Sequence, residues 1–283
     1  EISITEPYYD EIGKFPFKHF ELLQKEGYFK LTIPKEYGGE GLSLYEILLV
    51  QERLGRASGS TALAVGWHLM TFFSLRFYRP WKEDIFKKIC EEAIHEGSLL
   101  NVFATERATG NIVRGGNPST IAKKTKDGYI ITGRKAFSTL APIVKKFTVL
   151  AYIEEEDQIA EFLIKKNDSV RVIENWNALG MRSTGSHDVE LNNVFVPTEA
   201  LLAYSEKGKP NRFNGNSSAY TLQIPAIYLG IGTAARDFII EYADQKYSPS
   251  LGSVILDAPH VQEKLGEIEI LLQISRSLLY SLA

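Results

Sequence analysis

The chain has 283 residues, 44% hydrophobic and 24% charged, with a formal net charge of −3 at neutral pH. That balance describes an ordinary globular protein and supplies no basic field to gather nucleic acid. A single cysteine, Cys90, rules out an intrachain disulfide, and no apolar run is long enough for membrane insertion. With no secretory leader in view, a cytoplasmic location is expected.

The first third is helical. Residues 17–26 read as a short amphipathic helix with Phe17, Phe20 and Leu23 inward and Gly27 at its C-terminal cap. Pro34 and the glycines at 38, 39 and 41 keep the following IPKEYGG stretch out of helix. Ser43 and Glu46 form a capping box for a helix running to about residue 56. A second helix starts near residue 60 and is apolar on several sides, which places it centrally in a bundle. A third begins near Pro80. His68, among apolar neighbours, reads as a packed and satisfied histidine, and Cys90 as an inert thiol.

From residue 99 the texture changes. Short strands are expected at 99–105, 128–133, 147–153, 161–164, 170–173 and 188–196, the pattern of a small β-sandwich or barrel. Asp127-Gly128 predicts a hairpin turn through positive φ. Asn192-Asn193 predict a turn or bulge, and Pro197 ends that strand. The segment 103–111, FATERATGN, offers hydroxyls and backbone N–H groups to a carbonyl or phosphate, or is a plain surface loop. In 133–139, GRKAFST, Phe137 is either simple core or an aromatic ring packed beside a bound group.

In the last third, residues 211–216 are a polar linker and 219–247 a helix. Its Gly230-Ile-Gly232-Thr-Ala-Ala235 run mimics a dinucleotide fingerprint but has helical period on both sides, so its small residues serve close helix packing. Asp257 caps a final helix with Pro259 in its first turn and Val261, Leu265, Ile268, Leu272 and Leu279 on its buried face.

In order along the chain, IPKEYGG, FATERATGN, GRKAFST and GMRSTGS, the last leading into an apolar strand closing on Val196-Pro197, resemble the acyl-CoA dehydrogenase family. This flavoprotein superfamily also includes flavin-dependent monooxygenases. The resemblance implies an α+β chain with an N-terminal helical domain (1–98), a small β domain (99–210) and a C-terminal helix bundle (211–283). Only two long helices represent that bundle, so it is expected to be incomplete, and the chain is expected to begin without the family's first helix.

The resemblance implies FAD at Phe103, Ala104, Thr105, Gly110, Asn111, Phe137, Ser138 and Thr139, with Phe137 in a tryptophan's place and the Thr139 hydroxyl near flavin N5. Fixed donors there would stabilise charge developing on the ring. Lys246 replaces an arginine that reaches the FAD pyrophosphate of a neighbouring subunit, and Asn111, Tyr220 and Thr221 fall where the substrate binds. Arg107 and Ala108 depart from the usual proline and glycine, and Asn111 from the usual serine. No general base is assigned, because most members carry that glutamate at a position beyond Ala283, and Glu106 matches a structural position. No metal is implied.

The implied reaction is α,β-dehydrogenation of an acyl-CoA thioester in fatty acid metabolism, by a dimer or homotetramer, with electron-transfer flavoprotein or oxygen as acceptor. The alternatives are a flavin-dependent monooxygenase of the same fold, with His187 closer to the chemistry, and a degenerate non-catalytic member.

Overall fold

The computed structural model describes residues 1–111, 117–205 and 217–283, with only the backbone of Asn111, Ser217 and Ser218. The linker expected at 211–216 lies outside the described residues. Five helices come first: α1 (Ile2–Ile12), α2 (Phe17–Lys25), α3 (Leu44–Ala57), α4 (Gly59–Tyr78) and α5 (Glu83–His95). The capping box of α3 forms as expected, with the Ser43 side chain accepting from the Glu46 N–H and the Ser43 N–H donating to Glu46 at 2.8 Å. α4 is central, burying fourteen residues from Ser60 to Leu75.

His68 pins α4 to its surroundings. Its Nε2 donates to the Phe29 carbonyl at 2.9 Å and its Nδ1 accepts from the Leu100 N–H at 3.0 Å. Burial lowers its pKa to about 4, so the neutral ring is retained. Cys90 is buried and its thiol is pushed up to about 12 by desolvation, as an inert thiol should be.

An eight-stranded mixed sheet follows: β1 (Leu100–Phe103), then, past the small β2 (Thr105–Glu106) and β3 (Gly110–Asn111) hairpin, β4 (Ile121–Lys124), β5 (Gly128–Ser138), β6 (Lys146–Ile153), β7 (Gln158–Lys165), β8 (Val170–Ile173), β9 (His187–Pro197) and β10 (Leu201–Ser205). The order is β10-β7-β6-β4-β5-β9-β8. One edge of β6 is shared end to end: β1 pairs with its first half, Lys146 to Val149, and β4 with Tyr152 and Ile153. β6 and β7 form a hairpin in which Leu150 faces Glu161 and Thr148 faces Leu163.

Two helices complete the described chain, α6 (Ser217–Gln245) and α7 (Pro259–Ser281), separated by the two-stranded β11 (Tyr247–Ser248) and β12 (Ser253–Val254). The Gly230 run is helical, and its packing role is borne out. A Cβ on Gly230 would lie 2.2 Å from the Glu52 carbonyl, and one on Gly55 would lie 2.6 Å from the Ile227 carbonyl, so α3 and α6 touch backbone to backbone. No described helix is long and apolar enough to cross a membrane.

Several expectations are corrected. The chain does carry a helix before residue 17: α1 contains Pro7 and buries no residue, so it shows no apolar period, and polar ties hold it instead. Ser58 donates to Glu6 at 2.6 Å, and Thr5 meets His19 Nε2 at 2.8 Å. Phe17 is half exposed rather than inward. The turn before β5 forms, but neither Asp127 nor Gly128 has positive φ. Gly128 is required by crowding, since a Cβ there would lie 2.1 Å from the Val196 carbonyl. The Asn192-Asn193 bulge does form: Asn193 has φ 52°, opposite a register shift between Ile131 and Gly133. Asp257 does not cap α7; Ala258 holds that position with no side-chain bond, and Pro259 opens the helix. Of the face expected on α7 only Leu279 is buried, while Ile270, Leu271, Ile274 and Leu278 are exposed.

Candidate functional site

The three motif segments of the β region meet at the end of β5. The β5–β9 ladder shifts register between Lys135 and Ser138, and in that bulge Phe137 adopts φ 55°. A left-handed backbone is costly for an aromatic residue, and such strain gathers at functional sites. It turns the Phe137 ring outward, 53% exposed, while Ala136 before the bend and Ser138 and Thr139 after it are buried. Trp176 stands edge-on to the ring at 6.2 Å, and the Arg107 guanidinium lies over it at 5.4 Å.

Arg107, which replaces the family's proline, is fixed by Asp188. Its Nε donates to Oδ2 at 2.9 Å and its Nη2 to Oδ1 at 3.0 Å, a two-pronged pairing. Arg134 Nε donates to the same Oδ2 at 2.9 Å. Asp188 is buried, and although burial works to raise its carboxyl, the two arginines hold it below the usual range. Beside them opens a cleft of about 310 Å³ lined by Glu106, Arg107, Ala108, Ser119 and Arg134.

Glu106 is the anchor of the loop. Its Oε1 accepts from Lys135 Nζ at 2.6 Å and from the Thr120 N–H and hydroxyl at 3.1 and 2.6 Å. Its Oε2 accepts from the Ser119 N–H and hydroxyl at 2.6 and 2.5 Å and from the Thr109 hydroxyl at 2.8 Å. Both Glu106 and Lys135 are buried. Burial opposes the charge on Glu106, yet Lys135 and the hydroxyls together hold its carboxyl well below the usual range. Every lone pair is occupied, so this carboxylate positions the loop and is not free to move a proton.

Thr139 joins the third segment. Its hydroxyl meets Ser186 Oγ at 2.8 Å, Ser186 meets Thr184 Oγ1 at 2.8 Å, and Thr184 donates to the Met181 carbonyl at 3.0 Å. The Asn101 side chain donates to the Thr139 carbonyl at 2.8 Å. Arg182 of the same segment turns away and caps α1, donating to the carbonyls of Asp10 at 2.6 Å and Glu11 at 3.3 Å. His187 accepts the N–H groups of Asn175 and Trp176 at Nδ1, at 3.1 and 3.0 Å, which leaves its proton on Nε2.

The residues expected at the cofactor are therefore unequally placed. Phe137, Ser138 and Thr139 stand together, with the Thr105 loop brought over them by Arg107. Phe103 is a core side chain stacked on Phe147 at 4.5 Å, so only its backbone borders the loop. Ala104 and Thr105 are half-buried, Gly110 is exposed, and Asn111 pairs with Thr105 through its backbone. Lys246 is exposed just past the end of α6. On α6, Tyr220 faces inward and donates to Thr71 Oγ1 at 3.4 Å, while Thr221 is exposed. Sequence reasoning missed Asp188, Trp176, Asn101 and Ser186 as site members. Only Trp176 and Ser186 carried a signal, being inside the glycine-punctuated segment.

Comparison with known proteins assigns two stretches of the chain to known domains. The acyl-CoA dehydrogenase N-terminal domain matches residues 1–77 and the acyl-CoA dehydrogenase middle domain residues 101–194. The chain is 40% identical over 276 residues to YdbM of Bacillus subtilis (strain 168), provisionally named an acyl-CoA dehydrogenase, covering 97% of this chain and 71% of that one. Its fold matches butyryl-CoA dehydrogenase from Megasphaera elsdenii with a TM-score of 0.85 at 20% identity, over 99% of this chain and 74% of the other. It matches dibenzothiophene monooxygenase TdsC from Paenibacillus sp. A11-2 with a TM-score of 0.83 at 21% identity, over 99% and 71%. The middle-domain match spans the strands that carry the three converging segments, the N-terminal match the helices before them, and the identity to YdbM runs through nearly the whole chain: the protein belongs to the acyl-CoA dehydrogenase family.

Proposed function

We propose that the protein is an FAD-dependent oxidoreductase that takes hydrogen from the α and β carbons of an acyl-CoA thioester. The observation that carries this reading is the strained, outward Phe137 with three separate segments gathered around it. The residues fit a planar aromatic cofactor: an apolar ring held half exposed, and beside it a buried Ser138 hydroxyl with no hydrogen-bond partner among the described residues. When bound, FAD supplies a hydride acceptor. Phe137 would form the wall behind it and keep water out. Phe103, Ala104, Thr105, Gly110, Asn111, Ser138 and Thr139 would hold it, and Lys246 would reach its pyrophosphate from a neighbouring subunit as a point charge. Arg107 would set a fixed positive charge at the ring face. Acyl-CoA would lie against Asn111 and Tyr220, with Thr221 at the outer side of α6. Electron-transfer flavoprotein or oxygen would take the electrons, and the working unit would be a dimer or tetramer.

The test is anaerobic addition of an acyl-CoA panel to the flavin-loaded protein. Bleaching of the flavin absorbance is expected with at least one member; flavin that stays oxidised across the panel would overturn the reading. A second reading, a monooxygenase of the same fold, is favoured by the equal fold likeness to TdsC, which has also been solved with FMN. It predicts oxygen consumption when reduced flavin is supplied separately, with no bleaching by acyl-CoA.

A further inference from the structure

Where the end of α5 meets the open end of the β6–β7 hairpin, a cleft of about 500 Å³ is lined by Ser98 and Glu96 and by four lysines, Lys145, Lys146, Lys165 and Lys166. None of the side chains gathered around Phe137 lines it. The sheet register crowds these lysines together: Lys146 faces Lys165, and the Lys166 N–H donates to the Lys145 carbonyl at 2.9 Å. Like charges placed opposite one another weaken a sheet. Only Lys146 is neutralised, its Nζ donating to Glu92 Oε1 at 2.6 Å. Lys145, Lys165 and Lys166 have no carboxylate partner among the described residues. With Glu92 and Glu96, the two carboxylates of the lining, set against the four lysines, two positive charges remain in excess.

Two of the lining groups are taken out of water without a full set of partners. Ser98 is 8% exposed, and its hydroxyl has no hydrogen-bond partner among the described residues. Lys166 is half-buried; its Nζ donates to the Ala141 and Pro142 carbonyls at 3.1 and 3.4 Å. An ammonium has a third N–H to give. Burial holds this one below the usual lysine range, as befits a cation with no counter-charge beside it. A buried donor and a buried charge of this kind are completed by an acceptor that brings negative charge. A lone carboxylate would meet one of the two excess charges. A phosphoryl group carries up to two, and its oxygens can accept from ammonium groups on both strands and from the Ser98 hydroxyl together. The cleft has the volume of a small-molecule site. An extended polyanion fits poorly, because Glu92 and Glu96 border the cleft.

We infer that Ser98, Lys145, Lys165 and Lys166 form a second binding site, separate from the one at Phe137, for a small molecule bearing a phosphoryl group. The site does not depend on the reaction proposed above. The test is calorimetric titration of the full-length protein at low salt with inorganic diphosphate, with glycerol 3-phosphate and with malonate. One of the two phosphate probes is expected to bind with a Kd under about 1 mM, and raising the salt should weaken it. The tighter of the two tells whether the site takes a free phosphate or a phosphate ester. Lys165→Gln and Ser98→Ala should each weaken that probe about threefold or more while leaving the melting temperature of the unliganded protein unchanged. Lys166→Gln should weaken it about tenfold or more. Absence of binding by both phosphate probes would overturn the proposal. Binding that survives Lys165→Gln and Ser98→Ala undiminished would show that the probe sits elsewhere and would overturn it as well. Malonate that binds as tightly as either phosphate would overturn the assignment to a phosphoryl group.

Discussion

Glu106 and Glu161 are the same residue type, equally buried, yet they are opposite in character. Glu106 is enclosed by Lys135, two backbone N–H groups and three hydroxyls, and its carboxyl is held low. Glu161 has only Trp81 and Thr148 as polar neighbours, and its carboxyl is raised to about 7 by burial. Burial alone therefore does not assign a role to a carboxylate. A carboxylate set against a buried cation and ringed by donors keeps its charge, and one with few donors is pushed toward the neutral acid.

The difference can be broken from either side. Replacing Glu106 by Gln leaves Lys135 buried without its counter-charge, and a loss of about 3–5 kcal/mol in denaturant unfolding is expected. Adding Lys135→Met should recover a large part of that loss; if it recovers none, the pair is not the anchor. Glu161 should appear in the pH dependence of stability. Its folded pKa lies above its unfolded value of 4.5, so its neutral form contributes stability that is full below 4.5 and lost as pH rises to about 7. The decline is on the order of 3 kcal/mol, and Glu161→Gln should remove it from the stability profile. Glu106 has the reverse sign: its folded pKa is depressed, so its contribution is present above the unfolded value and fades as pH falls toward the folded one. Smaller effects sharpen the contrast. Ser119→Ala removes a bond to Glu106 and should cost about 1–2 kcal/mol, whereas Thr148→Val removes a hydroxyl that lowers the Glu161 carboxyl and should move the decline in stability to higher pH. Smallest in stability is Phe137→Ala, expected within about 0.5 kcal/mol because the ring is exposed, while flavin content after dialysis falls. Undiminished flavin would remove Phe137 from the site.

Local signals were readable in the sequence. The Ser43 box, the Asn193 bulge and the glycines packed between α3 and α6 are each set by a few adjacent residues, so pattern alone exposes them. The KAFST segment was recognisable too, although its strain was not, because nothing in the letters says that Phe137 must take a left-handed backbone. Elements that bury little gave no period to read: α1 buries nothing, and β4 fully buries only Ala122. Pairings across the chain were hidden for another reason. Arg107 finds Asp188 and Trp81 finds Glu161 only after the sheet is assembled, and no spacing rule links positions some 80 residues apart.

The short string from Thr139 to Met181 has a direction. A carbonyl cannot donate, so Thr184 must give its proton to Met181, Ser186 must give its own to Thr184, and Thr139 must give its own to Ser186. With its proton committed, Thr139 meets an arriving molecule only as a lone pair. That atom is thus one-way: Thr139 can accept a ring N–H, while the donor expected of its hydroxyl beside N5 has to come from another group, a polarity fixed by a peptide oxygen three links away.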